Sequence, residues 1–174
     1  MRGHMKKMNA VIFCSALLLS TAHAGEMYQA LRQETSREAA VILLAQARLE
    51  SCYDDSIGLK SVRGVAARNG YNIWNVTATR GPAHVEREGG RLIKKRWCYW
   101  KTAKEGAREF IAYLKRKYPG ALSRAERGDV KGYVHALKRG GYFSVPENEY
   151  AEGVEKWTKE LKKGEKSDKA ILER

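Results

Sequence analysis

Long apolar runs are nearly missing from this sequence. The stretch Ala10–Ser20, AVIFCSALLLS, falls far short of the roughly 20 residues a membrane span needs, and no second such segment follows. Histidine is scarce, with four in 174 residues, and cysteine scarcer, with three. That supply is too thin for a convincing zinc site, which takes four clustered N or S ligands. Acidic residues are in deficit, 20 against 33 Lys and Arg. No internal repeat, nucleic-acid motif or separate wall-anchoring repeat is found.

What is present begins with a leader. Met1–Asn9 is short and basic, with Arg2, Lys6 and Lys7; the apolar run follows, and then Ala22-His23-Ala24. A basic opening, an apolar stretch and an A-x-A site predict a secretory signal peptide, here cleaved after Ala24. An uncleaved anchor helix is the alternative. Export to the periplasm or beyond is therefore expected, with membrane contact only through the signal. Cys14 has no lipobox around it. The remaining 25–174 is long enough for one domain with one core. The leader takes three basic residues and no acidic ones, leaving thirty against twenty, or +10. Such a surplus favours anionic partners. For an exported chain these are cell-wall polymers or lipid surfaces rather than nucleic acid; solubility alone is the plain alternative. Two cysteines, Cys52 and Cys98, remain, and an oxidising compartment allows them to pair. Two histidines, His84 and His135, remain as well. Neither metal nor cofactor is expected.

Periodicity outlines a mainly α chain with a small β insert. A short helix is expected over 25–33. Thr35–Glu38, TSRE, fits a capping box opening a helix to about Ser51. On it Ala39, Leu43, Gln46 and Glu50 are spaced by four, three and four, so they share a face. Residues 51–71 read as irregular. Tyr71–Ala78, YNIWNVTA, is β-rich. AHVERE, Gly89-Gly90 and RLIKKRWCYW form a hairpin signal, in which Glu88 faces Arg91 and Glu86 faces Ile93. TAKE, Thr102–Glu105, is a second capping box. Behind it Ala103, Ala107, Phe110, Ile111 and Leu114 make an apolar stripe, stopped by Pro119-Gly120. Further helices are expected over 130–138 and 149–161. Residues 162–174 are highly charged and read as a disordered tail.

Glu50 ends an otherwise apolar helix face. It can pair with a neighbouring Lys or Arg, emerge into solvent, or serve as an acid. Gln46 lies one turn back, Glu86 and Glu88 follow in the insert, and Tyr71, Trp74, Trp97, Tyr99 and Trp100 crowd the intervening segments. Aromatic faces stack on sugars, and carboxylates flanking a cleft are the equipment of glycoside hydrolysis. A partly buried glutamate has a raised pKa and can hold the acid proton.

These segments, in this order, resemble the glucosaminidase domain of glycoside hydrolase family 73, found in flagellar peptidoglycan hydrolases and autolysins. LLAQARLES resembles the family's AQAxLES helix motif, YNIWNVTA its NLFGIKA strand, and the hairpin its β-lobe. KTAKEGAREFIAYLK is similar to the next helix and GYFSVPENEYA to the GYATDPxYA segment. The resemblance spans roughly 27–157. It implies a lysozyme-like helical domain with a small β-hairpin lobe, bounded at 25–161. It also implies an exported hydrolase that cuts β-1,4 bonds of peptidoglycan glycan strands, first as a β-N-acetylglucosaminidase. A muramidase or lytic transglycosylase on the same scaffold, or a non-catalytic wall-binding protein, are the alternatives. Carried onto this chain, Glu50 is the general acid, Glu86 a candidate base, and Tyr142 the active-site tyrosine. Glu86 reads equally well as a cross-strand charge. With Tyr142 supporting attack by the substrate's own N-acetyl group, no second carboxylate is required. Gln46, Trp74, Trp100 and Tyr150 are candidate substrate contacts, and core packing is the commoner fate of a strand Trp. The chain departs from the family in Ser51-Cys52-Tyr53-Asp54 for SGWG, in Val145 for the Asp before Pro, and in two extra residues between Pro146 and Tyr150. Cys52 and Cys98 are then candidates for a disulfide pinning the β-lobe to the catalytic helix. A secretion, conjugation, phage or flagellar assembly is a possible partner.

Overall fold

The structure, a computed structural model, describes residues 25–54, 62, 70–78, 83–88 and 91–172, with 83, 84, 86–88 and 165–172 given as backbone. The expected leader (with His4, Cys14 and His23) and the Gly89-Gly90 turn lie outside the described residues. In order come α1 (Glu26–Glu34), α2 (Arg37–Ser51), β1 (Ala83–Glu88), β2 (Arg91–Arg96), α3 (Ala103–Lys117), α4 (Ala121–Glu126), α5 (Val130–Arg139) and α6 (Glu147–Leu172). The expected class, mainly α with one β-hairpin, is the observed one.

Helix α2 is the centre of the fold. Every residue from Ala39 to Ala47 is buried, as befits a helix apolar on nearly all sides. It lies against α6, α4 and α1; α1 also packs on α3, and α5 bridges α4 and α6. Its cap is displaced by one residue from the expected Thr35. Ser36 is the N-cap, accepting from the Ala39 amide at 3.2 Å, while the Thr35 hydroxyl donates to Glu126 of α4 at 3.1 Å. Two adjacent hydroxyl residues compete for one cap, and the contact to α4 decides between them. Thr102 caps α3 as expected, accepting from the Glu105 amide at 3.1 Å; Glu105 returns to the Lys101 amide at 2.8 Å. The predicted stripe on α3 is buried throughout.

Segment 71–78 is not a strand. It is tied to the sheet side by one bridge, Thr77 to Trp97, whose backbone bonds run from Ala78 to Arg96 and from Cys98 to Val76, and by a further bond from the Tyr71 amide to the Trp100 carbonyl. The Asn72 side chain takes the place of a strand partner. Its amide donates to the carbonyls of Val76 at 2.8 Å and Cys98 at 3.0 Å, and its oxygen accepts from the Val76 amide at 2.9 Å. Asn75 then turns the chain with φ of 54°, a left-handed conformation that Asn tolerates. This folds Trp74 inward. Its ring stacks on Phe110 with centroids 4.1 Å apart and meets Trp100 edge-on, and its indole N–H donates to the Leu43 carbonyl at 2.7 Å. Trp74 is fully buried and Trp100 nearly so. Neither presents a face to a sugar, so their expected role as substrate contacts gives way to core packing.

The hairpin register is as expected, with Glu88 opposite Arg91 and Glu86 opposite Ile93. Helix α4 was not anticipated: its six residues follow a left-handed Gly120, too few to show periodicity. The tail expected to be disordered instead continues α6 to Leu172. The segment holds no proline to stop a helix, and Glu160 pairs with Lys163 one turn on at 2.9 Å, a local support for helix in a polar stretch.

Asn72→Ala removes three hydrogen bonds at a buried site and leaves the Val76 amide without its acceptor. It is expected to lower stability by about 2–4 kcal/mol, seen as a shift in the urea midpoint with unchanged slope.

Candidate active site

The last turn of α2 carries Leu49 and Glu50 to the floor of a cleft of about 640 Å³. The opposite wall is the loop Gly141–Val145, and the first turn of α6 closes the cleft with Glu149 and Tyr150. Helices α2 and α6 come close at Gly153, where a Cβ would lie 3.0 Å from the end of the Leu49 side chain. Lys138 ties down the wall, donating to the carbonyls of Ser144 at 3.1 Å and Val145 at 2.7 Å.

Glu50 is half-buried, and burial raises its pKa; hydrogen bonds from Tyr150 and Asn75 act in the opposite sense. The shift is one that favours a protonated carboxyl. Behind it runs a directed chain of hydrogen bonds. Tyr133 donates to the Gln46 oxygen, the Gln46 amide donates to the Tyr150 hydroxyl at 3.2 Å, and Tyr150 donates to Glu50 Oε1 at 2.5 Å. Asn75 secures the backbone, donating to the Glu50 carbonyl at 2.8 Å. Burial first, and then the Glu50 charge, hold the phenols of Tyr133, Tyr142 and Tyr150 well above their ordinary range. They remain protonated and act as donors. Tyr150 also stacks on Phe143, with centroids 3.8 Å apart.

The sequence-predicted residues divide clearly. Glu50, Tyr142 and Tyr150 line one cleft. Gln46 shares the face of Glu50, as its spacing implies, but it is fully buried; it orients Tyr150 and contacts no solvent-borne ligand. The Tyr142 hydroxyl donates to the Trp74 carbonyl at 2.5 Å. Glu86 is placed by its backbone alone, in mid-β1. Cys52 and Cys98 are separate thiols with no bond between them, contrary to the expected disulfide. Cys52 is the left-handed C-cap of α2, and Cys98 is half-buried with its sulfur 3.8 Å from the Thr77 carbonyl. Glu149 and Tyr133 were missed. Tyr133 sits on an ordinary apolar helix face, and Glu149 reads as one more charge in ENEYAEG; no one-dimensional signal marks either. Among the described residues no cluster of His, Cys, Asp and Glu has the makings of a metal site, and no helix is long and apolar enough to cross a membrane.

No protein-family model matches this chain, and no curated protein does. Two solved structures are similar. A peptidoglycan hydrolase mutant from Sphingomonas sp. A1 is 22% identical with a TM-score of 0.53, over 81% of this chain and 91% of its own. A glutamate-to-alanine mutant of peptidoglycan hydrolase from the same organism is 22% identical with a TM-score of 0.49, over 68% and 75%. The likeness is one of fold. The chain shares with the first of these structures a mainly helical fold.

Two outcomes are expected from the cleft's electrostatics. In the unfolded chain Glu50 titrates near 4.5, and in the folded chain higher. The folded state therefore holds a proton the unfolded state has released, and stability falls as pH rises from 4.5 through the folded midpoint. Glu50→Gln keeps an oxygen for Tyr150 and cannot ionise. It should melt a few degrees above wild type at pH 7, with the advantage gone at pH 4. Tyr150→Phe strips partners from the Gln46 amide and Glu50 Oε1. Its stability should drop by roughly 1–3 kcal/mol, and the Glu50 midpoint, followed by carboxyl-carbon NMR, should rise further.

Proposed function

We propose that this protein is an exported peptidoglycan hydrolase that cleaves β-1,4 bonds of the glycan strand as a β-N-acetylglucosaminidase of the glycoside hydrolase family 73 type. Glu50 is its general acid. The observation that carries this reading is a half-buried carboxyl of raised pKa at the floor of an open cleft. The helical fold shared with a peptidoglycan hydrolase supports it, as does the match of LLAQARLES to the family's helix motif.

Tyr150 occupies Oε1, so the acid proton is carried on Oε2. Protonation of the glycosidic oxygen there lets the bond to the anomeric carbon break without expelling an alkoxide. Negative charge left on Glu50 is met by the Tyr150 hydroxyl, which is itself fixed by Gln46 and Phe143 and needs no reorganisation. Tyr142, on the opposite wall, offers its ring to the sugar, its hydroxyl being bonded to the Trp74 carbonyl. Leu49, Phe143 and Val145 supply apolar surface for methyl groups such as that of an N-acetyl substituent. The net charge of +10 for 25–174 attracts an anionic wall polymer and draws the enzyme to its substrate in a salt-dependent way.

Digestion of purified sacculi by residues 25–174, with Glu50→Gln alongside, tests this. Wild type should release soluble fragments whose reduced ends are GlcNAc, and Glu50→Gln should release them at least about 100-fold more slowly. Reducing MurNAc ends would move the enzyme to the muramidases, and anhydro-MurNAc ends to the lytic transglycosylases. Binding to sacculi that survives Glu50→Gln, with no fragments from wild type, would identify a wall-binding protein instead.

A further inference from the structure

We propose that Glu149 is the second carboxylate of this cleft and the base that activates the attacking water, a role that rests on the hydrolase reading above. Among the described residues two acids line the cleft, Glu50 and Glu149, and their surroundings differ in the way acid and base chemistry requires. Glu50 is half-buried and raised in pKa. Glu149 is exposed, on the first turn of α6, where the positive end of the helix dipole favours a carboxylate. The neighbouring acid of that turn is engaged elsewhere, since Glu147 is 3.1 Å from His135 of α5. Among the described residues Glu149 makes no ion pair or hydrogen bond, and it lines the cleft. Its position is also tied to that of the acid. Tyr150, the next residue, hydrogen-bonds Glu50, so one helical turn sets both carboxylates relative to a bound sugar.

The step balances without any further group. Water attacks the anomeric carbon from the Glu149 side, and Glu149 takes one proton of that water. The bond between the anomeric carbon and the glycosidic oxygen breaks, its electron pair passing to the oxygen, which receives the proton of Glu50. One water has been added across the bond, the anomeric configuration is inverted, and Glu149 returns its proton through solvent to reset the pair.

The test measures cleavage of peptide-stripped glycan strands by full-length mature protein and variants matched for melting temperature. Glu149→Gln should lower kcat by about 100-fold or more, with KM changed less than threefold, and Glu149→Asp should recover part of the loss. Glu147→Gln should stay within threefold of wild type. With Glu149→Ala, added azide should restore cleavage and leave a glycosyl azide detectable by mass, an outcome that a merely structural role does not produce. Proton NMR of early wild-type product should show the inverted anomer. Glu149→Gln within threefold of wild type while Glu50→Gln is inactive would overturn this assignment and leave the hydrolase reading standing. So would a loss that falls on Glu86→Gln instead, failure of azide to rescue Glu149→Ala, or a retained anomer. Wild type that cuts no glycan overturns both.

Discussion

The Tyr150 hydroxyl is the point on which the cleft depends. It accepts from Gln46 and donates to Glu50, both on α2, and so ties that helix to α6, which packs on it. A glutamine fully buried in an apolar helix is costly unless its polar atoms are satisfied. Here its oxygen takes the proton of Tyr133 and its amide reaches Tyr150. Reversed, the amide would donate to Tyr133 and accept from Tyr150, and the Tyr150 proton would no longer be turned toward Glu50. In the observed orientation the network delivers a donor, not an acceptor, to Glu50.

That directionality explains how a carboxyl can be half-buried beside three tyrosines without pairing with a cation. The protein is rich in Lys and Arg, yet among the described residues the cleft lining contains neither. Arg48, two residues before Glu50, turns away to Asp54 at 3.1 Å and lies over the Trp157 ring. A cation next to Glu50 would lower its pKa and favour the ionised form. Phenols that remain protonated stabilise charge when it forms without imposing it beforehand. A carboxyl raised in this way favours the native state less as pH rises toward neutrality, and an amide at position 50 would show no such change.

Aromatic residues are sorted by the same packing. Trp74, Trp100 and Phe110 form an interlocking group beneath α2, while Phe143, Tyr142 and Tyr150 form the cleft wall. The two groups are joined by the hydrogen bond from Tyr142 to the Trp74 carbonyl and by ring contacts running from Phe110 through Tyr113 and Tyr118 to Tyr142. The wall is thereby anchored to the core, and Lys138 holds its outer edge. The cationic surplus lies elsewhere, on exposed positions of β2, α3 and α6 such as Arg91, Lys94, Lys104 and Lys159, where it can act at long range on an anionic polymer without disturbing the carboxyl.

Whatever depends on local periodicity and local bonding was legible in the order of the residues. The burial of α2, the stripe and cap of α3, the hairpin register and the shared face of Gln46 and Glu50 all follow from spacings of two, three or four residues, because backbone geometry repeats at those intervals. The meeting of long-range partners was settled by the folded chain alone. Trp74 went to the core where Asn72 closes a turn on the Val76 amide and Asn75 takes a left-handed conformation. Gln46 became a support instead of a lining residue because Tyr133, 87 positions away, closed over it. Glu149 entered the cleft because α6 crosses α2 at Gly153. Such contacts have no periodic trace, since they depend on where helices cross in space, and that is set by the packing of the whole domain.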